Sequence, residues 1–351
     1  MSAKKFSYQG KKVYVGIDVH KKTYAVTARC EGMIVKRDTL QASPQGLVDY
    51  LRRYFAGAQI FSVYEAGFSG FGLHRILIQG GITNIVINAA SIEVAANDKV
   101  KTDRRDSKKL SEQLEFGRLR GVFVPDPVQE LRRQVSRTRG QVVSTRARVA
   151  QQIKSKLHYF GLIPPTAPNK PLSNRILKEI EKLDLSEELS VSLRFLIAQW
   201  RFLTLQLVDL RKRLQEQAKA DDSLEKVYRS VPGIGLIGSR VLANELGDPS
   251  KRFNNERELF KYTGLTPTEF SSGENVTRGH ISKQGSARIR HVLIEAAWWA
   301  VEADQALKEA FDRIARTRGK KRAIVAIARK LIGRIRACFR AGTVYQLGVC
   351  M

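Results

Sequence analysis

A chain of 351 residues has room for two domains and a connecting element rather than one compact core. Its 43% hydrophobic and 27% charged residues are those of a globular protein with a real core, which excludes global disorder. The 61 Lys and Arg against 34 Asp and Glu leave a formal charge of +27, which opposes compaction unless a polyanion neutralises it; nucleic acid is the first candidate. No apolar run reaches the roughly 18 residues of a membrane span and the N-terminus begins polar, so a cytoplasmic protein with no membrane partner is expected. The cysteines Cys30, Cys338 and Cys350 are too scattered for a disulfide framework, and the dispersed histidines argue against a zinc site.

Residues 12–40 alternate like paired strands: Val13, Val15 and Ile17 on one face, then Tyr24 to Arg29, then Ile34 to Leu40 after a Glu31-Gly32 turn. A short amphipathic helix with Leu47, Val48 and Leu51 follows, then a strand from Ile60 to Tyr64, a Gly-rich loop, a helix around Leu73 to Ile78 and a strand from Ile82 to Ile87. Three antiparallel strands leading into alternating helices and strands predict a mixed α/β sheet, the order seen in the ribonuclease-H-like fold. From Asp103 the pattern turns helical. Residues 131–160 carry Arg132, Arg133, Arg137, Arg139, Arg146, Arg148, Lys154 and Lys156 and no acid, while Leu131, Val135, Val142, Val149 and Ile153 keep helical spacing. A solvated helix face would look similar, but without acids no i,i+4 salt bridge forms, which favours a phosphate-facing surface.

The Pro164-Pro165 to Pro171 stretch reads as a linker. Beyond it, Leu189, Leu193, Leu196, Trp200, Leu203, Leu207, Leu210 and Leu214 follow at intervals of four and three, a heptad seam. The seam suits either a hairpin with the equally long basic helix or a subunit interface. A second globular unit begins near Ser230 with Val231-Pro232-Gly233-Ile234-Gly235, continues through a polar segment from Thr263 to Gly285, and ends in two or three helices from Arg288 to Arg340. The expected division is therefore 1–125, 126–229 and 230–351.

Asp18 closes the first strand and Glu65 the fourth. A carboxylate at the end of a central strand costs free energy unless a cation meets it, and adjacent strands would bring both to one sheet edge. Asp103 and Asp106 open a helical stretch with the three-residue spacing that places both on one face. Each alone reads more readily as a helix cap. Four converging carboxylates are most simply held together by a hard divalent cation, and two such ions about 4 Å apart clamp the attacking and leaving oxygens of a phosphodiester.

In the second unit, Gly233 and Gly235 let backbone N–H groups approach a phosphate, as in helix-hairpin-helix modules, although a simple turn would also use them. The following polar segment concentrates hydroxyls and cations, among them Ser271, Ser272, Arg278, Lys283, Arg288 and Arg290. It suits an exposed serine near a phosphate, and a flexible loop would look much the same. Residues 313–340 hold 11 Lys and Arg, including Lys320, Lys321 and Arg322, and no acid. Helical spacing of Ile324, Ile327, Leu331 and Ile335 makes this a phosphate-facing helix rather than a tail.

The ordered set Gly16-Ile17-Asp18, Tyr64-Glu65-Ala66, Lys101-Thr102-Asp103-x-x-Asp106, Val231-Pro232-Gly233-Ile234-Gly235, Gly264-Leu265-Thr266-Pro267, Ser272-Gly273 and Ile281-Ser282-Lys283-x-Gly285 resembles the DEDD transposases of the insertion-sequence-110 family, relatives of the Piv-type DNA invertases. The resemblance implies an α/β RuvC-like N-terminal domain whose Asp18, Glu65, Asp103 and Asp106 hold one or two Mg²⁺ ions. It implies a coiled-coil linker and a mainly α C-terminal transposase domain with Ser272 as nucleophile, the serine that directly precedes the glycine. It further implies donor and target DNA, a structured bridge RNA that pairs with both, and a homodimer or tetramer in which the half-sites meet between subunits. Two rivals remain at this point: a RuvC-like nuclease or junction resolvase that uses metal-activated water and no serine, and a non-catalytic nucleic-acid-binding protein.

Overall fold

The computed structural model describes residues 7–89, 92, 103–162, 171–272 and 275–348, with the backbone alone described at 103–104, 270–272 and 275–278. The chain divides into two compact units, Met1–Pro125 and Asp126–Met351.

In the first unit, β1 (Lys12–Val19), β2 (Thr23–Cys30) and β3 (Met33–Gln41) form the expected meander. The helix α1 (Pro44–Tyr54), strand β4 (Gln59–Glu65), helix α2 (Gly72–Gln79), strand β5 (Thr83–Ile87) and helix α3 (Asp103–Glu115) follow. The sheet order is β3-β2-β1-β4-β5, antiparallel across β1, β2 and β3 and parallel across β1, β4 and β5. The order follows from the connections: tight turns make antiparallel neighbours, whereas α1 and α2 carry the chain back for parallel ones.

Strand residues alternate between two faces. Val13, Val15, Ile17, Ile60, Tyr64 and Val86 pack beneath Leu47, Val48 and Leu51 of α1 and Leu73 and Leu77 of α2. The other face carries Val63 and Ile87 against Leu110 of α3. Helices on both faces make a three-layer α/β arrangement, which explains why β2 is buried over nearly its whole length.

The second unit opens with α4 (Pro127–Tyr159), started by Pro127 and by the Asp126 carboxylate accepting from the Gln129 amide. After α5 (Asn174–Ile180), α6 (Glu187–Ala220) returns along it. Val149, Ile153 and Leu157 near the end of α4 cluster with Leu189, Leu193, Ile197 and Trp200 near the start of α6, so the two helices are antiparallel. The leucine seam thus closes within the chain, although Leu196 and Leu210 are half-buried and Ile197 takes a core position.

The remainder is α7 (Asp222–Arg229), α8 (Leu236–Leu246), α9 (Pro249–Arg252), α10 (Glu256–Thr263), β6 (Pro267–Ser272), β7 (Asn275–Ile281), α11 (Ala287–Ala303), α12 (Gln305–Arg318) and α13 (Lys320–Ala341). Its core combines Tyr228, Leu242, Leu259, Leu293, Ile327 and Leu331. The segment read from sequence as a polar loop contains the β6–β7 hairpin, fastened at its base by the Ser282 amide donating to the Thr266 carbonyl at 2.8 Å. Among the described residues no helix is long and apolar enough to cross a membrane.

Candidate active site

Asp18 and Glu65 are built to one place by strand register. Gly16 pairs with Val63 and Ile17 with Tyr64 across the parallel β1–β4 ladder, so Asp18 and Glu65 are the next residues of neighbouring strands. Gly16 faces α3, because a Cβ there would stand 2.1 Å from the Ser107 carbonyl oxygen and 2.5 Å from the Ser111 amide nitrogen. Asp18, two residues on, faces the same side. Val63 packs on α3, and Glu65 shares its face by the same parity. A glycine inside a strand marks such a close approach, and the sequence carried that signal at Gly16.

Three anchors orient α3. The Ser107 hydroxyl meets that of Thr27, the partner of Gly16, at 2.9 Å. At the far end, Glu115 accepts from Arg29 Nε and from the Gly32 amide, both at 2.7 Å. The helix therefore runs antiparallel to β1. Its first turn, with Asp103 and Asp106, lies toward the edge where β1 and β4 end. Asp106 is half-buried, and the Asp103 side chain lies outside the described residues.

Asp18 has a neighbour that sequence reasoning missed. His20 Nε2 lies 3.1 Å from Asp18 Oδ2, and both side chains are partly exposed. The signal was available, since residues two apart on a strand share a face. Among the described residues no three His, Cys, Asp or Glu side chains stand close enough together to hold a metal ion. The donor set of the four acids is nevertheless all oxygen, the chemistry that a hard divalent cation takes.

Ser272 is the last residue of β6 and pairs with Asn275 of β7; its side chain and those of Ser271 and Arg278 lie outside the described residues. The hairpin of Gly233 and Gly235 joins α7 to α8. A Cβ on Gly233 would stand 2.7 Å from Trp299 Cβ and 2.9 Å from the Ala296 Cα, so this glycine serves close packing on α11. Gly235 is exposed with open space around it.

The basic candidates separate into two groups. Arg133 is buried and donates to the Asn244 and Glu245 carbonyls, while Arg137 grips the Glu245 carboxylate through two bonds of 2.8 and 2.9 Å. Burial lowers the pKa of Arg133, whereas the hydrogen bonds that Arg137 donates to Glu245 raise that of Arg137. Arg132 pairs with Asp221. These three arginines hold α4 to neighbouring helices, so an acid-free run did not mean unpaired cations: the acids come from α8 and from the end of α6. Arg290 is likewise engaged, donating to the Thr263 and Gln284 carbonyls at 3.1 Å. In contrast, Lys283, Arg288, Lys320, Lys321 and Arg322 are exposed. Arg139 is half-buried; burial and then the neighbouring Arg146 and Arg211 lower its pKa, and its Nε has no hydrogen-bond partner among the described residues.

Comparison with known proteins gives this arrangement its class. The family model for the DEDD transposase of IS110 elements, described as "Transposase", matches residues 15–160, the span that holds all four acids. A second model, described as "Transposase IS116/IS110/IS902 family", matches residues 225–312, the span that holds Ser272. The class is thus that of insertion-sequence transposases. The chain is 28% identical over 301 residues to the putative transposase y4qE of Sinorhizobium fredii, covering 82% of this chain and 72% of that protein. It is 26% identical to the transposase for insertion sequence element IS1533 of Leptospira borgpetersenii, covering 94% and 96%. An IS110 protein of Streptomyces coelicolor, named an uncharacterized 43.6 kDa protein, is 32% identical over 39% of this chain and 34% of its own length. With models of one family matching both units, the chain belongs to the IS110 family of transposases.

Proposed function

We propose that the chain is an RNA-guided DNA recombinase of an insertion sequence, in which Ser272 attacks a DNA phosphodiester and Asp18, Glu65, Asp103 and Asp106 hold Mg²⁺. The observation that carries the reading is the placement of Asp18 and Glu65 on neighbouring strand ends of the face that α3 covers, with the first turn of α3 at the same edge. On this reading the first unit is RuvC-like and α7, the Gly233 hairpin and α8 form a helix-hairpin-helix element. A bound divalent cation supplies charge neutralisation at a phosphate oxygen.

The protein's own groups do the rest. The Ser272 Oγ–P bond forms as a P–O bond to deoxyribose breaks; the serine gives up its proton and the released sugar oxygen takes one up. Attack by another strand end on the phosphoserine reverses the exchange, so strands are rejoined without ATP. His20 orients the Asp18 carboxylate through their contact. The exposed Lys283, Arg288, Lys320, Lys321 and Arg322 make phosphate contacts that position the substrates, and base pairing of a guide RNA with donor and target DNA chooses the sites. The working assembly is a homodimer or tetramer.

Ser272→Ala is the decisive variant. It should lower strand cleavage by about 10³-fold or more and abolish the covalent protein–DNA adduct. Continued cutting by Ser272→Ala would make the protein a nuclease that uses water. Strand transfer unaffected by Asp103→Asn would remove the acids from the chemistry. Sequencing RNA that copurifies with the expressed element tests guidance: complementarity to the insertion site is expected.

A further inference from the structure

Between α10, α12 and α13 lies a cleft of about 920 Å³ that neither the acids nor Ser272 occupy. One face of α13, from Ala326 to Arg340, forms its long wall, roughly 21 Å at 1.5 Å per residue. Leu307, Ala310, Ile314 and Ala337 give the cleft an apolar floor; at Gly333 a Cβ would stand 3.4 Å from Phe260 and Glu256, so α10 packs closely on α13 at that point. The rim is basic. Arg313, Arg329, Lys330 and Arg340 border the cleft and form no ion pair among the described residues, against the two acids Glu256 and Glu309. Arg334 also reaches the cleft, but Asp304 and Tyr345 hold it.

We propose that this cleft binds a single-stranded segment of nucleic acid, with bases turned to the floor and phosphates to the rim. The inference goes beyond the recombinase reading by naming a site and the form of polynucleotide it takes. A duplex encloses its bases behind its backbones and would leave the apolar floor unmatched; a single strand offers base faces and phosphates together. The Arg329 guanidinium lies over the Phe260 ring with 5.8 Å to its centroid, and arginine and phenylalanine are both side chains on which bases stack. Cations with no ion pair among the described residues stand at both ends of the α13 wall and on α12, which suits a polyanion lying along the cleft, and arginine forks suit phosphate. An acidic amphipathic helix is the competing occupant, and the test includes it.

The test uses the full chain and a fluorescein-labelled 12-nucleotide RNA, compared with the duplex of the same sequence at one salt concentration. Arg313→Glu/Arg329→Glu should weaken single-strand binding by about tenfold or more. The control Lys178→Glu/Lys182→Glu, an equal charge change on exposed residues in and just after α5, should weaken it far less. Phe260→Ala should weaken single-strand binding while leaving duplex binding within about twofold. Irradiation of a 4-thiouridine RNA should crosslink peptides of α10 and α13, with an unlabelled acidic helical peptide failing to compete. Equal loss in the groove and control variants, crosslinks confined to other helices, or displacement by the acidic peptide but not by RNA would each overturn the proposal. Melting curves establish that the variants are folded; if Arg313→Glu/Arg329→Glu is not, Arg313→Gln/Arg329→Gln is measured with the same expectation. Loss of recombination in Ser272→Ala with no groove effect would sink this site alone, and the converse pattern would sink the recombinase reading alone.

Discussion

Helices α4 and α13 carry the same message in sequence, a long run of Lys and Arg with no acid, and meet different fates. Near the start of α4 three of the charges find acids: Glu245 engages Arg133 and Arg137, and Asp221 engages Arg132. Along α13, Arg336 is bonded to the Phe253 and Asn254 carbonyls and Arg334 to Asp304, yet Arg329, Lys330 and Arg340 border an open cleft. Local composition says whether a cation finds a partner one turn away. It says nothing about acids delivered from a hundred residues downstream, and these decide between scaffold and binding surface.

The sharpest way to break that contrast is at Glu245, only 3% exposed. Glu245→Gln leaves two guanidiniums short of their counter-charge and should cost about 3 kcal/mol or more in denaturant unfolding. A stability within error of the parent would mean that the α4 arginines are not structural. Gly16→Ala should come next. Its Cβ must displace α3 from main-chain contact, with an expected loss of about 1–3 kcal/mol and a lowered melting temperature.

Asp304 supplies a pH-dependent test. Burial alone would raise its carboxyl pKa, but hydrogen bonds from Tyr345 and the Leu307 amide, with the charge of Arg334, outweigh burial and hold it below the ordinary 3.8. A depressed folded pKa contributes stability that is present above 3.8 and lost as pH falls through the lower folded value. Asp304→Asn should therefore cost about 2 kcal/mol at neutral pH and flatten the acid limb of the stability profile. An unchanged limb would refute the assignment.

The smallest effect separates the two helices directly. Arg329→Ala or Arg340→Ala should each reduce the log–log salt slope of nucleic-acid binding by about 1, whereas Arg137→Ala should leave that slope alone. A slope that changes with Arg137 would return α4 to the binding surface.

Much of the first unit could be read directly from the residues. Period-two alternation in Val13, Val15 and Ile17 and the strand-end positions of Asp18 and Glu65 are local signals, and register follows from them. Less of the second unit was legible. Gly233 reads as a turn glycine in sequence, and its close packing on Trp299 and Ala296, over sixty residues away, is visible only in the fold. The β6–β7 hairpin was hidden in a polar stretch because its strands lack the apolar alternation by which strands are recognised. The leucine seam fitted two partners equally well in sequence, and only packing against Val149 and Ile153 shows the one within the chain.

The close seat of α3 on Gly16 has a bearing on how such proteins tolerate change in length. With main chain resting on main chain, the position of α3 is gauged from the sheet at Gly16. One residue inserted within α3 would rotate one end of the helix against the sheet by about 100°, so that its first turn and the Ser107 anchor could not both keep their places.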